Sequence, residues 1–97
     1  AHARRYFEKA LNNDTERSTY VLKQIQRLYA IERKAKEREV NPDTLKRYRQ
    51  IYALPVINEI ECRLKQMSFE VLPKSAIGKA IAYTLKIYPS LKRYIED

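Results

Sequence analysis

EREVNPDTLKRY, residues 37–48, decides the fold, because one helix stops and another starts inside it. Asn41 offers a side-chain oxygen to the free N–H groups of a first helical turn, and Pro42 suits the first helical position, where a backbone N–H is not needed. Asp43 places a negative charge at the positive end of the helix dipole. Upstream, ERKAKERE at residues 32–39 is almost all charge, the pattern of a solvated helix end projecting past its core. The link from Glu39 through Val40 to Pro42 is too short to send the second helix anywhere but back along the first. The expected unit is an antiparallel helical hairpin.

The upstream arm reads as a helix over residues 15–38, with Asp14 as its N-cap. Val21, Ile25, Leu28, Tyr29 and Glu32 fall at i, i+4, i+7, i+8 and i+11, so the four apolar members form one stripe. Leu22 and Ile31 widen it. The downstream arm reads as residues 43–67, about 37 Å at ~1.5 Å per residue. Its stripe is Leu45, Tyr48, Tyr52, Val56, Ile60, Leu64 and Met67. Pro55 stands in the middle of this arm. A mid-helix proline removes a hydrogen bond and costs ~3 kcal/mol, so a kink or a break into two helices is expected there.

The flanks are helical too. Ala3, Tyr6, Phe7, Ala10 and Leu11 recur at helical spacing over residues 1–12, and Asn12-Asn13-Asp14 breaks that run. Ser68 to Leu72 reads as a loop, and Pro73 or Ser75 as a new start. Ile77, Ile81, Leu85 and Tyr88 then follow at helical spacing. Pro89 is expected to interrupt this helix, leaving Leu91, Tyr94 and Ile95 to a final short turn. The fold class is all-α: a helical hairpin with flanking helices, forming a single domain over residues 1–97.

Composition narrows the chemistry. With one Gly among 97 residues, tight β-hairpins and phosphate-cradling loops are disfavoured. No apolar run approaches the ~18 residues of a membrane span, so no membrane partner is expected. Cys62 is the one cysteine, and His2 the one histidine. A lone cysteine makes neither an internal disulfide nor a metal cluster, and a cytoplasmic setting follows as the default. His2 without a second ligand or a neighbouring nucleophile makes no metal site and no triad. The carboxylates are scattered. Glu37 and Glu39 lie two apart, as do Glu59 and Glu61, so each pair points to different helix faces. They read as surface charges rather than the inward-facing set of a two-metal site. Gly78-Lys79 is not a phosphate loop, since Pro73 occupies the place of the earlier glycine. Gly78 reads instead as a close-packing position on a helix. No catalytic residue, metal site or cofactor is expected within these residues.

Charge is the most informative physical feature. Twenty basic residues against 12 acidic ones leave a net charge of +8, which points to a polyanionic partner, nucleic acid first. Residues 73–95 hold five basic side chains (Lys74, Lys79, Lys86, Lys92 and Arg93) and no acidic one. Lys79 and Lys86 are seven apart, on one helix face, with Lys74 at its start. Tyr29, Tyr48, Tyr52 and Tyr88 lie on apolar stripes, so they read as packing residues rather than base-stacking platforms. Tyr20 and Tyr83 are less committed.

LPKSAIGKAIAYTLKIYPSLKRYIED, residues 72–97, resembles the insertion-sequence 66 family of bacterial DDE transposases. That family carries a pattern like LPKS-x-LGKA-x-x-Y-x-L, then Trp, then L-x-x-Y-L-x-D-G. Pro73, Lys74, Ser75, Gly78, Lys79, Ala80, Tyr83, Leu85, Leu91, Tyr94 and Asp97 match it. Ile77 and Ile95 replace Leu, and Tyr88 stands at the Trp position. AHARRYF at 1–7 is similar to the family's C-W-A-H-x-R-R-x-F segment, LYAIE at 28–32 to L-Y-x-I-E, and Arg49-Gln50 with Pro55 to R-Q-x-x-x-x-P.

The resemblance implies a place within a larger enzyme. Such transposases resemble ribonuclease H in their core and hold two metal ions, Mg2+ being the expected divalent metal, on three carboxylates. Two aspartates precede the A-H-A-R-R segment, and the glutamate follows Y-L-x-D-G in a D-N-N-x-x-E-R motif. These residues would then be the helical insertion between the second and third catalytic carboxylates. Asp97 would match a non-catalytic position, and His2 would be structural or site-supporting. The parent would cut and join DNA, with oligomerisation possible. This region would contribute scaffold and contacts to transposon ends, through Lys74, Lys79 and Lys86 first and Arg4 and Arg5 next. The alternative is a non-enzymatic helical module that binds a protein or a nucleic acid, for which the charged hairpin tip at residues 32–40 is suited.

Overall fold

The computed structural model describes residues 2–38 and 41–96, with the side chains of 94–96 excepted. Glu39, Val40, Asp97 and the side chains of Tyr94 and Ile95, named above, lie outside the described residues. The described residues are all-α, with no strand among them. Helix α1 spans His2–Lys9, α2 Thr15–Glu37, α3 Pro42–Tyr48, α4 Leu54–Ser68 and α5 Ala76–Glu96. A π-helical turn, Arg49–Ala53, joins α3 to α4.

Capping fixes the starts. The Asp14 side chain accepts from the Arg17 N–H at 3.1 Å, and Asn41 accepts from the Thr44 N–H at 2.8 Å, with Pro42 in the first turn of α3. Both starts match the sequence reading. At α5, Ser75 Oγ accepts from the Gly78 N–H at 3.1 Å. Asn13 Oδ1 accepts from the Ile77 N–H, also at 3.1 Å, across 64 residues of chain. The Asn-Asp pair in the turn between α1 and α2 therefore caps two helices.

The hairpin is antiparallel. Arg49 grips Glu32 through two hydrogen bonds of 2.8 and 2.9 Å, the Arg63 guanidinium lies 5.3 Å from the Tyr20 ring centre, and Arg17 meets Glu70 at 3.0 Å. Ascending numbers on one arm thus meet descending numbers on the other. Pro55 is accommodated by the π turn just before it. Widening that turn absorbs the missing N–H and relieves the ring's clash with the preceding carbonyl. The extra residue also rotates the arm's apolar face. Ala53, Val56, Ile57, Ile60, Leu64 and Met67 are buried, whereas Tyr52, expected on the core stripe, is 53% exposed.

Three further readings are corrected. Helix α5 runs through Pro89 without interruption. The proline is exposed, and the turns around it are held from outside the helix. The Tyr88 hydroxyl donates to the Ile57 carbonyl at 2.7 Å, and Lys92 pairs with Glu61 at 2.5 Å. The charged end of α2 is not wholly solvated, since Ala35 is buried and Glu32 is held by Arg49. Glu61, read as a surface charge, is a half-buried member of an ion pair with Lys92.

The core gathers Phe7 and Ala10 from α1, Val21 from α2, the inner face of α4, and Ile77, Ala80, Ile81 and Tyr88 from α5. Each fully buried side chain of Phe7 or Leu64 size contributes about 1.5–3 kcal/mol. The molecule is elongated, 44 × 21 × 18 Å, and α5, 21 residues and about 31 Å long at ~1.5 Å per residue, packs against both α1 and α4.

Asp14 supplies a pH-dependent test. Burial pushes its carboxyl upward, but the Arg17 N–H and guanidinium outweigh this and hold it below the usual value of 3.8. A lowered folded-state pKa gives stability that is present above the unfolded value and lost as pH falls through the folded one. Asp14→Ala should cost ~1 kcal/mol at neutral pH in denaturant unfolding. Asp14→Asn should keep most of the cap and flatten the loss of stability below the ordinary carboxylate range.

Candidate nucleic-acid interface

Helix α5 carries two faces of opposite character. Ile77, Ala80, Ile81, Thr84 and Tyr88 are buried, while Lys79, Ala82, Lys86, Pro89, Ser90 and Arg93 are exposed. The outer face is therefore a line of cations at seven-residue spacing with small side chains between them. None of Lys79, Lys86 and Arg93 has an acidic partner among the described residues, and α5 has no acid in its first turn. Arg93 was not among the residues singled out from sequence. Its signal was the same spacing of seven that joins Lys79 to Lys86. Lys92, one position away, turns to the other side and pairs with Glu61.

The start of this face is fixed by close packing. A side chain at Gly78 would collide with the Leu72 carbonyl oxygen and lie 2.9 Å from that of Pro73. The loop before α5 thus rests directly on the helix's first turn. Ser75 ties it further, its N–H and its hydroxyl both donating to the Leu72 carbonyl at 3.0 and 2.6 Å. Lys74, in this loop, is exposed beside the positive end of the α5 dipole.

The other sequence candidates fall into a separate group. Helix α1 runs antiparallel to α5, with Tyr6 and Tyr83 stacked at 4.6 Å and Asn13 at Ile77. Arg4 and Arg5 are exposed, but they line a shallow cleft of about 290 Å³ with Glu8 and Tyr29. Arg4 is paired with Glu8 at 2.8 Å, whereas Arg5 has no acidic partner among the described residues. Lys74, Lys79 and Lys86 therefore stand as one set and Arg4 and Arg5 as another. His2 is exposed on the first turn of α1.

Among the described residues no group of three or more His, Cys, Asp or Glu is placed to hold a metal ion. Tyr88 is a buried phenol pushed to a high pKa by burial first, then by Glu61 and Tyr20 nearby. It stays neutral and serves as the hydrogen-bond donor that pins α5 to α4. At the hairpin tip, an open groove of about 570 Å³ is lined by Tyr29, Glu32, Arg33, Ala35, Lys36, Leu45 and Arg49. Tyr29 is 44% exposed there, against its expected role in packing. No helix among the described residues is long and apolar enough to cross a membrane.

The model of the Transposase IS66 family matches residues 1–97. The chain belongs to that family. An uncharacterized protein, y4jD, of Sinorhizobium fredii (strain NBRC 101917 / NGR234) is 28% identical over 98 residues. The match covers 100% of this chain and 19% of that protein, so the chain spans about a fifth of the length of the curated relative it matches. No solved structure matches. Within the IS66 family reading, the LPKS and GKA segments acquire a physical role. They build the loop and the glycine contact that present the first cations of the α5 face.

That contact can be tested by volume alone. Gly78→Ala drives a methyl group into backbone carbonyls, which cannot rotate away. It should destabilise the fold by about 1–3 kcal/mol in chemical denaturation, more than Ala82→Ser on the exposed face.

Proposed function

We propose that this region is a helical scaffold of a larger DDE transposase and supplies phosphate contacts to transposon-end DNA. The parent would act in the cytoplasm, joining and cutting phosphodiesters with carboxylate-bound divalent metal, Mg2+ by expectation, at residues outside this region. The single observation that carries the DNA role is the outer face of α5, with Lys79, Lys86 and Arg93 exposed in line, Lys74 at its start and no acid among the described side chains from 73 to 93. Lysine and arginine on such a face displace counterions condensed on DNA, which gives affinity without sequence preference. Small residues between the cations let a phosphate backbone approach the helix. Family membership supports DNA as the polyanion. Arg5 is the further candidate, and Arg4 is the weaker one because Glu8 already neutralises it.

A second reading, a helical module that docks a protein partner, draws on one observation. The groove at the hairpin tip exposes Tyr29 between Arg33 and Arg49. A protein-docking role would leave DNA affinity independent of the α5 cations.

Charge reversal separates the two. Lys79→Glu with Lys86→Glu should weaken duplex binding at least tenfold in low salt. The slope of log affinity against log salt should flatten by about two units, one per lost phosphate contact. Fluorescence anisotropy across a salt series measures both. Unchanged affinity and slope would remove this face from the interface.

A further inference from the structure

The loop between α4 and α5 presents two large apolar side chains to solvent. Phe69 is 90% exposed and Leu72 is 76% exposed, the two highest values among the exposed large hydrophobic residues. Single apolar residues on a surface are ordinary. Here a pair stands within one short loop whose backbone is held from several sides. The Glu70 N–H donates to the Met67 carbonyl at 2.9 Å, and Arg17 of α2 holds the Glu70 carboxylate at 3.0 Å. The Leu72 carbonyl accepts from Ser75, and both Leu72 and Pro73 rest against Gly78. The side chains are thus presented from a fixed frame.

The acids beside the pair are already engaged: Asp14 and Glu70 share a shallow cleft with Leu72, and Arg17 holds both. Lys74 and Lys79 are exposed next to the loop in sequence, and Lys79 adjoins the glycine on which the loop rests. An apolar pair framed by cations fits a partner that is anionic outside and apolar within. Duplex DNA has that form, with phosphates on the rim and stacked base faces behind them. Proteins that bend DNA drive Phe or Leu side chains into a base step while cations hold the flanking phosphates.

We propose that Phe69 and Leu72 form an apolar wedge that enters a base step of duplex DNA, with Lys74 and Lys79 on the adjacent phosphates. This rests on the DNA-binding reading above and adds a local distortion of the duplex to it. The loop that carries the wedge leads directly into α5, whose first exposed cation is Lys79.

The test uses the 97-residue chain and a short duplex carrying 2-aminopurine, whose fluorescence rises when it is unstacked. The chain should raise that fluorescence. It should also bind a duplex with one mismatched step about tenfold tighter than a fully paired one, because unstacking is already partly done. Phe69→Ala with Leu72→Ala should abolish the rise and weaken binding about tenfold, with the salt dependence unchanged because every cation remains. Its melting temperature should equal that of the parent chain, since both side chains are solvent-exposed. Binding of the paired duplex by both proteins with equal affinity and no fluorescence rise would overturn the wedge and leave the loop to a protein partner. Failure of the unaltered chain to bind any duplex would overturn both the wedge and the DNA-binding reading.

Discussion

Two helix starts meet at Asn13 and Asp14. Each start leaves backbone N–H groups with no partner inside its own helix, and burying them unpaired is costly. Asp14 satisfies Arg17 in its own helix, and Asn13 reaches Ile77 at the start of α5. Arg17 then extends the junction to Glu70, so the turn after α1, the start of α2 and the loop before α5 form one polar knot. Gly78 completes it by letting that loop touch the helix. Lys74, Phe69 and Leu72 are positioned by this knot rather than by the apolar core, which lies on the other side of α5. An error here would leave the core largely assembled and the outer edge misplaced.

Local signals made the helix starts legible in the sequence. Asp14, Asn41 with Pro42, and Ser75 each act within three residues of themselves, so no tertiary information was needed. The register of the second hairpin arm was not legible to the same degree. Counting at 3.6 residues per turn placed Tyr52 in the core, but the π turn before Pro55 inserts a residue and hands that place to Ala53. Proline announced a disturbance without saying whether it would bend the axis or widen a turn. At Pro89 the same residue type left α5 continuous, because Tyr88 and Lys92 are tied to α4 on either side of it. The cost of a proline is local, and what compensates it is tertiary.

The candidate site divides along the same line. Spacing of seven is a property of the sequence, and it put Lys79 and Lys86 on one face; Arg93 obeys the same rule. That Lys92 belongs elsewhere depends on Glu61, a residue of another helix. Arg4 looked equivalent to Arg5 until the turn of α1 brought Glu8 beside it. The exposed Tyr29, and Asn13 as a cap for a helix 64 residues away, follow only from how the elements pack.

A net charge of +8 says little about where the excess lies. The placement of the acids decides it. Asp14 and Glu70 share Arg17, Glu32 holds Arg49, and Glu61 holds Lys92, so these carboxylates sit at joints between elements. Solvent still reaches each of these pairs, so their contribution is small, ~1 kcal/mol or less for pairs at a surface, and their main effect is on geometry rather than stability. They subtract charge at these joints, and none of them lies beside Lys79, Lys86 or Arg93 among the described residues. Lys79, Lys86 and Arg93, without acidic partners among the described residues, are a consequence of where these carboxylates join helices. A face with the same net charge but one acid moved into it would lose more phosphate attraction than the overall count implies, because screened interactions act over about a Debye length of 8–10 Å.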